Sequence, residues 1–239
     1  MNYAVRFAFL ISISAHAETL HYVVNWQSGL SLGEATLSSN RSLWVVAGVE
    51  TAQWKFDLDI DASVPGFAIR DQYSSIVSPG TASPGGAGKE ICSAKLDKTV
   101  HRGSRKSEET VTFDQDQHTV TRETHPEGIG GKSDAAVGPC ARDALAFLQF
   151  VRQELAQGRL VPQQSVVLGS LYNVRLEFAG TETMKKLGKP VQADRIHATI
   201  KGPASELAVD IFFAQDEVRT PVLARIPLAL GTFSVELAH

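Results

Sequence analysis

The sequence has 239 residues, of which 43% are hydrophobic and 21% are charged, a composition that suits one large globular domain or two small ones. Its formal net charge of −3 gives no overall attraction to nucleic acid, which we exclude as a partner. No later apolar run approaches the roughly 20 residues that a helix needs to cross a bilayer, so we expect the chain not to span a membrane.

The first seventeen residues have the features of a secretory signal. Arg6 precedes a short apolar run at 7–13, and Ala15-His16-Ala17 supplies the small residues of a cleavage site before Glu18. We predict a signal peptide at 1–17 and a mature chain at 18–239 that is periplasmic or otherwise exported, and soluble after cleavage. The alternative is that the first residues form a core strand.

Alternation of apolar and polar residues predicts a series of strands before residue 140. The predicted strands are 20–26, 30–37, 43–49, 54–60, a strand through Cys92 and Leu96, 108–113 and 118–124. Gly33 indicates a bulge, and turns are expected at Ser38-Ser39-Asn40 and at 102–105. The Gly-rich segments at 79–88 and 126–131 are predicted to be loops.

The segment 140–158 has the period of an amphipathic helix. Its apolar stripe consists of Ala144, Leu145, Leu148, Val151 and Leu155. The polar residues predicted to face mostly away from the stripe are Arg142, Asp143, Gln149, Arg152, Gln153 and Glu154. Gly158 can adopt the left-handed conformation that ends a helix. Burying a large aliphatic side chain contributes roughly 1.5 to 3 kcal/mol, so we expect Leu145, Leu148, Val151 and Leu155 to face a core or a cleft.

Regular alternation returns after the helix. The predicted strands there are 172–178, 196–200, 207–213, 222–226 and 233–237. Strands that are apolar on one side indicate an antiparallel sheet with one covered face. About ten strands are too many for a flat sheet, so we predict a single mainly β domain in which a strongly curved antiparallel sheet or half-barrel wraps around one central α-helix.

The two cysteines, Cys92 and Cys140, are an even number in a chain predicted to enter an oxidising compartment. We therefore predict a disulfide between them, which would tie the start of the helix to an earlier strand. Two buried free thiols are the alternative. A metal pair is disfavoured because no histidine stands beside either cysteine with ligand spacing.

Two motifs imitate functional sites but lack required residues. Gly130-Gly131-Lys132-Ser133 resembles the end of a phosphate-binding loop, yet Pro126 occupies the position of its first glycine. Asp57-x-Asp59-x-Asp61 opens like a calcium loop, but Ala62 replaces the glycine that the loop needs. The seven histidines are scattered, without the spacing of a zinc site. We predict no catalytic residues, no cofactor and no metal.

One hairpin tip carries the only basic cluster of the sequence. Its residues are Lys95, Lys98, His101, Arg102, Arg105 and Lys106. Such a cluster is usually a solvated turn, and the alternative is contact with an anionic lipid or glycan of the envelope, for which Lys95, Lys98, Arg102, Arg105 and Lys106 are the candidates.

Several stretches together resemble the bacterial exported family called domain of unknown function 3108. They are Leu20-His21-Tyr22-Val23-Val24-Asn25-Trp26 with Gly29, Leu32-Gly33-Glu34-Ala35, Phe113-Asp114, Asp143-Ala144-Leu145-Ala146-Phe147-Leu148, Phe212-Phe213-Ala214-Gln215-Asp216, Arg219-Thr220-Pro221 and Leu230-Gly231-Thr232-Phe233. The resemblance implies export to the periplasm or envelope and a β-rich fold around a central helix, similar to lipoprotein carriers or calycins. It brings no catalytic residues.

The surplus of apolar strand surface over what one helix can cover favours a non-enzymatic envelope protein that holds a lipid-like or other hydrophobic ligand between sheet and helix. A packed structural or assembly module without a ligand is the closest alternative. An enzyme of unknown type is a third possibility, because catalytic groups can converge from distant positions. A membrane-spanning barrel is a fourth, disfavoured by the helix and the cysteine pair.

Overall fold

The structure is a computed structural model, and it describes residues 17–46, 49–64, 67–79, 91–126, 130–186, 188–228 and 231–238. The predicted signal peptide lies outside these residues except for Ala17. The predicted loop at 79–88 likewise lies outside them except for Pro79.

The described residues form fifteen strands and one helix. In chain order they are β1 (Glu18–Trp26), β2 (Ser31–Val46), β3 (Val49–Val64), β4 (Phe67–Pro79), β5 (Ile91–Arg102), β6 (Arg105–Asp114), β7 (Thr119–Pro126), β8 (Gly131–Ala136), β9 (Arg142–Asp143), α1 (Ala144–Ala156), β10 (Gln164–Val167), β11 (Leu171–Lys186), β12 (Lys189–Lys201), β13 (Glu206–Ala214), β14 (Pro221–Leu228) and β15 (Gly231–Leu237).

All the strands belong to one sheet, in the order β8-β7-β6-β5-β4-β3-β2-β1-β15-β14-β13-β12-β11-β10-β9. Each half of the chain is an antiparallel meander, and β1 joins the two halves by pairing with β15, where Tyr22 lies opposite Leu237. The short β9 pairs with β10 in parallel. The sheet curves strongly without closing into a barrel, and it wraps around the helix as a half-barrel, which confirms the predicted fold class.

The helix lies between the two halves of the curved sheet. Its first turn packs Leu145 and Ala146 into a buried cluster with Phe56 and Val77 of β3 and β4. Its later turns enter the largest cluster, which contains Phe147, Val151, Leu155, Val161, Val166, Val174, Leu176, Ile196, Ala198 and Phe213. Leu148 is partly buried against this cluster. Leu145, Leu148, Val151 and Leu155 of the predicted stripe therefore face the core, covered by strands from both ends of the chain. Ala144, also predicted to lie in the stripe, is exposed.

The prediction of separate strands at 30–37 and 43–49 is wrong. β2 runs without interruption from Ser31 to Val46, and the predicted turn Ser38-Ser39-Asn40 pairs with residues 55–57 of β3. Serine and asparagine favour turns only weakly, and a long partner strand overrides that preference. Beside the predicted bulge at Gly33, the pairing of β1 with β2 shifts register. A side chain at Gly33 would overlap the carbonyl oxygen of Asp61, so the close approach of β3 requires glycine there.

An additional strand, β8, follows the predicted loop at 126–131 and shares only Gly131 with it, and the sheet has more strands than the ten or so predicted. All six residues of β8 are exposed. Its sequence therefore lacks the apolar alternation by which strands are recognised, and the pairing with β7 identifies it only in the structure.

The helix begins later than the amphipathic segment, with Asp143 as its N-cap, and Gly158 follows its end at φ 71° as predicted. The prediction that Arg142, Asp143 and Arg152 face away from the core is wrong, because all three are buried. Helical periodicity places polar residues on the solvent side of a helix. These three residues are buried instead because other parts of the fold supply their hydrogen-bond partners.

Candidate functional site

The N-cap of the helix is a buried carboxylate with a complete set of donors. Oδ1 of Asp143 accepts hydrogen bonds from the N–H groups of Leu145 at 2.8 Å and Ala146 at 3.1 Å. Oδ2 accepts from the hydroxyls of Ser75 at 2.6 Å and Ser93 at 2.7 Å. Ser93 also accepts the N–H of Asp143 at 2.8 Å. The cap therefore joins the helix directly to β4 and β5.

Cys92 and Cys140 form a disulfide beside this cap, as predicted. Ser93 and Ala141, which follow the two cysteines, are joined by a hydrogen bond. The N–H of Ser93 donates to the carbonyl of Ala141 at 3.0 Å. The amide of Gln115 bridges the same pair by donating to both carbonyls. The disulfide thus closes a hydrogen-bonded joint between β5 and the chain that enters the helix.

Arg152 anchors the outer side of the helix. Its guanidinium makes a bidentate pair with the carboxylate of Glu18, at 2.7 and 2.9 Å, and its Nε donates to the carbonyls of Val218 and Arg219. A buried guanidinium requires such partners, because a charge removed from water without them is very costly. Glu18, the predicted first residue of the mature chain, is thereby held against the helix.

The β13–β14 loop (215–220) connects this anchor to β11 and β12. Arg219 donates to the carboxylate of Asp194 at 2.7 Å, and Lys186 pairs with Asp216 at 2.5 Å. Asp216 also accepts from the backbone N–H and the hydroxyl of Thr220. Burial acts to raise the pKa of Asp216, but the hydrogen bonds from Lys186 and Thr220 outweigh it and hold the pKa below its ordinary value. These contacts therefore hold the loop against the end of the β11–β12 hairpin.

We predict that Asp216→Asn lowers the free energy of unfolding by about 1 kcal/mol at neutral pH, through loss of charge-assisted hydrogen bonds on a partly exposed group. Since the folded-state pKa is depressed, this contribution is present above the unfolded pKa of about 3.9 and is lost as the pH falls through the folded value. Urea unfolding from about pH 7 to pH 3 should show the difference from wild type becoming smaller as the pH falls. Glu177→Gln, in an exposed pair with Arg175, is the control. A difference that is independent of pH would contradict the prediction.

The strand register divides the predicted basic cluster between two faces of the sheet. Lys98 and Arg102 share the inner face with the buried Leu96, and Arg105 pairs opposite Arg102. Lys95 and Lys106 lie on the outer face. Because of this division, the five residues do not form one surface patch.

Three of the five basic side chains are paired with carboxylates. Lys95 pairs with Asp97 and Lys106 with Glu108, each at 2.8 Å. Arg102 pairs with the buried Asp71, to which Tyr73 also donates. Burial, with the neighbouring Asp71 carboxylate, raises the pKa of Tyr73 to about 12. Contact with an anionic lipid or glycan stays a proposal, and it could use only part of the cluster at a time.

The three aspartates of the calcium-like motif occupy the outer face of β3, as their alternation indicates. Each has a neighbour on the surface: Lys55 for Asp57, Gln72 for Asp59 and Arg70 for Asp61. Within the described parts of the chain, no three metal-ligating side chains come together in a group that could hold an ion.

Clefts on the surface differ in position and lining. One of about 640 Å³ lies over the polar outer face of β2 to β5, and one of about 540 Å³ lies beneath the end of the β11–β12 hairpin, between Met184 and Leu223. We call the second the arm cleft. A third, of about 360 Å³, lies beside Cys140 and Phe150. The stripe residues Leu145, Leu148, Val151 and Leu155 line none of these.

A fourth cleft, of about 190 Å³, opens at the gap in the half-barrel between β8 and the β10–β11 turn. We call it the seam cleft. It is lined by Val111, Val120, Arg122, Ser133 and Ala135 from β6 to β8, and by Val167, Gly169, Ser170 and Leu171 from the opposite side. Arg122 donates to Oε2 of the buried Glu109 at 2.7 Å. The Oε1 atom of Glu109 and the Nε atom of Arg122 are both buried without a hydrogen-bond partner.

No sequence pattern indicated the seam cleft or the ion pair of Arg122 with Glu109 beside it, because both residues belong to strands predicted only as hairpin partners. The only local signal is the position of Glu109 between Ser107 and Val111 in the alternation of β6, which places a carboxylate on the inner face.

Over residues 21–238 the sequence matches the family described as protein of unknown function (DUF3108). The chain belongs to this family. No curated protein and no solved structure matches it. Among the described residues, no helix combines the length and the apolar character needed to cross a membrane.

Four of the motifs that carry the resemblance to DUF3108 have residues at structural joints. Asp143 caps the helix, and Asp216, Arg219 and Thr220 make the hydrogen bonds that hold the β13–β14 loop in place. Asp114 accepts the N–H groups of the turn between β6 and β7. These DUF3108 residues hold strands and helix in place, and none of them lines the arm cleft or the seam cleft.

Proposed function

We propose that this DUF3108 protein is an exported, non-enzymatic module of the cell envelope whose interior is filled by its own side chains and which acts by contacting other envelope components. The observation that carries the proposal is the packing of the helix stripe, where Leu145, Val151 and Leu155 are 7%, 3% and 8% exposed. A hydrophobic ligand gains about 25 cal/mol for each Å² of apolar surface that it removes from water. Side chains that are already buried offer it almost none.

The buried ionisable groups support a structural role. Asp71 is held by Arg102, Asp143 by two serine hydroxyls, and Arg152 by Glu18. Each group has its charge balanced or fully hydrogen-bonded within the fold, as structural polar networks require. Export is supported by the pattern at 1–17 and by the disulfide, which forms and persists in oxidising compartments.

A carrier of a hydrophobic ligand is the second candidate, and the arm cleft favours it. Its volume of about 540 Å³ falls within the range of about 300 to 1,000 Å³ that small-molecule sites occupy. Its apolar lining includes Val222, Leu223 and Leu237, but these are buried in a core cluster that also contains Tyr22 and Phe212. Met184 and Pro190 remain as the apolar contacts for a ligand.

Native mass spectrometry of the full chain, expressed with its own leader and purified without detergent, tests both candidates. We expect a protein that begins at Glu18, retains its disulfide and carries no stoichiometric adduct. An adduct that disappears in Met184→Trp, which fills the arm cleft, but persists in the exposed variant Lys189→Trp would favour the carrier and reject the packed module. A chain that keeps residues 1–17 would reject export.

A further inference from the structure

One edge of the half-barrel carries exposed apolar side chains. Because all neighbouring strands except β9 and β10 pair antiparallel, the connections that follow β1, β3, β5, β7, β10, β12 and β14 lie along the same edge of the sheet. We call this edge the turn rim; it comprises the described turns and the two strand residues on either side of each. Three exposed large apolar residues lie on it, Leu30, Phe67 and Leu171, which are 61%, 43% and 38% exposed. The turn rim therefore presents apolar surface that the core does not use.

The turn rim is positively charged, although the chain as a whole has a formal net charge of −3. Its cationic residues are Arg102, Arg105, Lys106, Lys132 and Lys201, and its described part has one carboxylate, Glu206, which lies opposite Lys201. Farther along the strands, Glu108 pairs with Lys106 and Glu123 with Lys132. Both pairs are largely exposed, so water screens them and neither fixes the lysine strongly. The rim therefore favours a partner with an anionic surface.

The tip of the β5–β6 hairpin places two guanidinium groups beside an aromatic ring. Arg102 and Arg105 lie directly opposite each other on the two strands. Arg102 is held by the buried Asp71, whereas Arg105 is exposed and has no carboxylate partner among the described residues. A side chain at Gly103 would meet the ring of Phe67 at 3.1 Å, so the ring stands next to the turn that joins the two strands. Apolar and cationic groups therefore share one tip of the rim.

A phosphodiester suits the space between these two cations. Like charges directly opposite each other on paired strands destabilise the pairing. An anion that accepts hydrogen bonds from both guanidinium groups removes that repulsion, and phosphate oxygens are strong acceptors for arginine. A free phosphate would use the arginines but leave Phe67 in water. A phosphate attached to acyl chains uses both kinds of group, and a phospholipid has this chemistry.

We propose that the turn rim docks the protein on the surface of an anionic phospholipid bilayer, with a lipid phosphate between Arg102 and Arg105 and with Phe67 and Leu30 at the boundary of the acyl chains. The inference rests on the proposed function, because it names the envelope component that the packed module contacts. Peripheral binding of this kind gains from buried apolar area and from attraction to anionic headgroups, so removal of either contribution weakens it.

The test is sedimentation of the full chain, expressed with its own leader, with two kinds of vesicle. One contains equal parts of phosphatidylglycerol and phosphatidylcholine, and the other contains phosphatidylcholine alone. Two rim variants, Arg105→Glu and Phe67→Ser, remove the exposed cation and the aromatic ring. Two control variants make corresponding exchanges away from the rim: Lys189→Glu at the opposite edge of the sheet, and Phe178→Ser, whose ring is exposed on β11. All four residues are exposed, so circular dichroism should show that every variant folds.

We expect the partition coefficient on the anionic vesicles to fall about tenfold in Arg105→Glu and about fivefold in Phe67→Ser, and to stay within about twofold in the two controls. Binding of the wild type to phosphatidylcholine alone should be about tenfold weaker. Absence of sedimentation with the anionic vesicles, or equal losses in rim and control variants, would overturn the inference. Loss of binding in inorganic phosphate at constant ionic strength would assign the two arginines to free phosphate and would also overturn it.

Failure of this inference can be distinguished from failure of the proposed function. Absence of docking leaves the packed module standing if native mass spectrometry finds no adduct. A hydrophobic adduct that Met184→Trp removes would reject the packed module whatever the vesicles do.

Discussion

Asp143→Ala should lower the free energy of unfolding by about 4 kcal/mol, which is a very large effect for the loss of one buried carboxylate. Loss of an N-cap costs about 1–2 kcal/mol, and the two serine hydroxyls that donate to Oδ2 would each lose a buried acceptor. For a domain of this size the change corresponds to a fall of about 10 °C in Tm. Urea unfolding monitored by tryptophan fluorescence measures it.

Two control variants separate the cap from a general effect of removing charge. Asp97→Ala removes a half-exposed aspartate on β5 that pairs with Lys95 and accepts from Thr110, and it should change stability by no more than about 1 kcal/mol. Asp143→Asn keeps one oxygen for the helix N–H groups, so it should cost less than half as much as the alanine variant. Equal losses in Asp143→Ala and Asp97→Ala would show that the buried network does not stabilise the fold.

Removing the disulfide, as Cys92→Ala/Cys140→Ala, should also cost about 4 kcal/mol. The bond closes a loop between residues separated by 48 positions, and constraining a loop of that length in the unfolded chain accounts for the magnitude on the chain-entropy view. Reductant should lower the stability of the wild type to that of the double variant and leave the double variant unchanged. Two titratable thiols in the denatured, unreduced wild type would contradict the pairing.

The two effects should not add. Ser93 and Ala141 follow the two cysteines and also position the cap, since Ser93 donates to Asp143 and its N–H donates to Ala141. Residues that share one network show coupling energies of about 0.5–3 kcal/mol in double-mutant cycles. Asp143→Ala should therefore cost less in the background without the disulfide than in the wild type. Strict additivity would mean that the disulfide and the cap stabilise separate parts of the fold.

These joints explain why the resemblance motifs are short and scattered. A large curved sheet has few local contacts that fix its curvature, so the helix must be held against it at more than one point. The N-cap and disulfide hold its start against β4 and β5, and Arg152 holds its outer side against β1 and the β13–β14 loop. Residues from distant parts of the sequence therefore meet at two places along one helix.

The sequence by itself determined the elements whose periodicity is imposed by burial. Alternation predicted β1, β13, β14, β15 and parts of β11 and β12, because each covers one face of a single core. The short β9 and β10 were not predicted. The apolar stripe and Gly158 predicted the helix and its end, and the even cysteine count predicted the disulfide. These features are local or compositional, so they can be recognised before the chain folds.

Only the tertiary structure decided which polar residues are interior. Asp143, Arg152 and Glu109 have ordinary surface residue types, and their burial depends on partners supplied by other strands, up to 134 positions away in the case of Glu18. The sequence also did not predict β8. Every residue of this edge strand is exposed, so its sequence has no apolar alternation from which a strand could be predicted. Hydrophobic burial leaves a periodic trace in a sequence, whereas hydrogen-bond partners across a curved sheet are set by register and curvature, which no local pattern encodes.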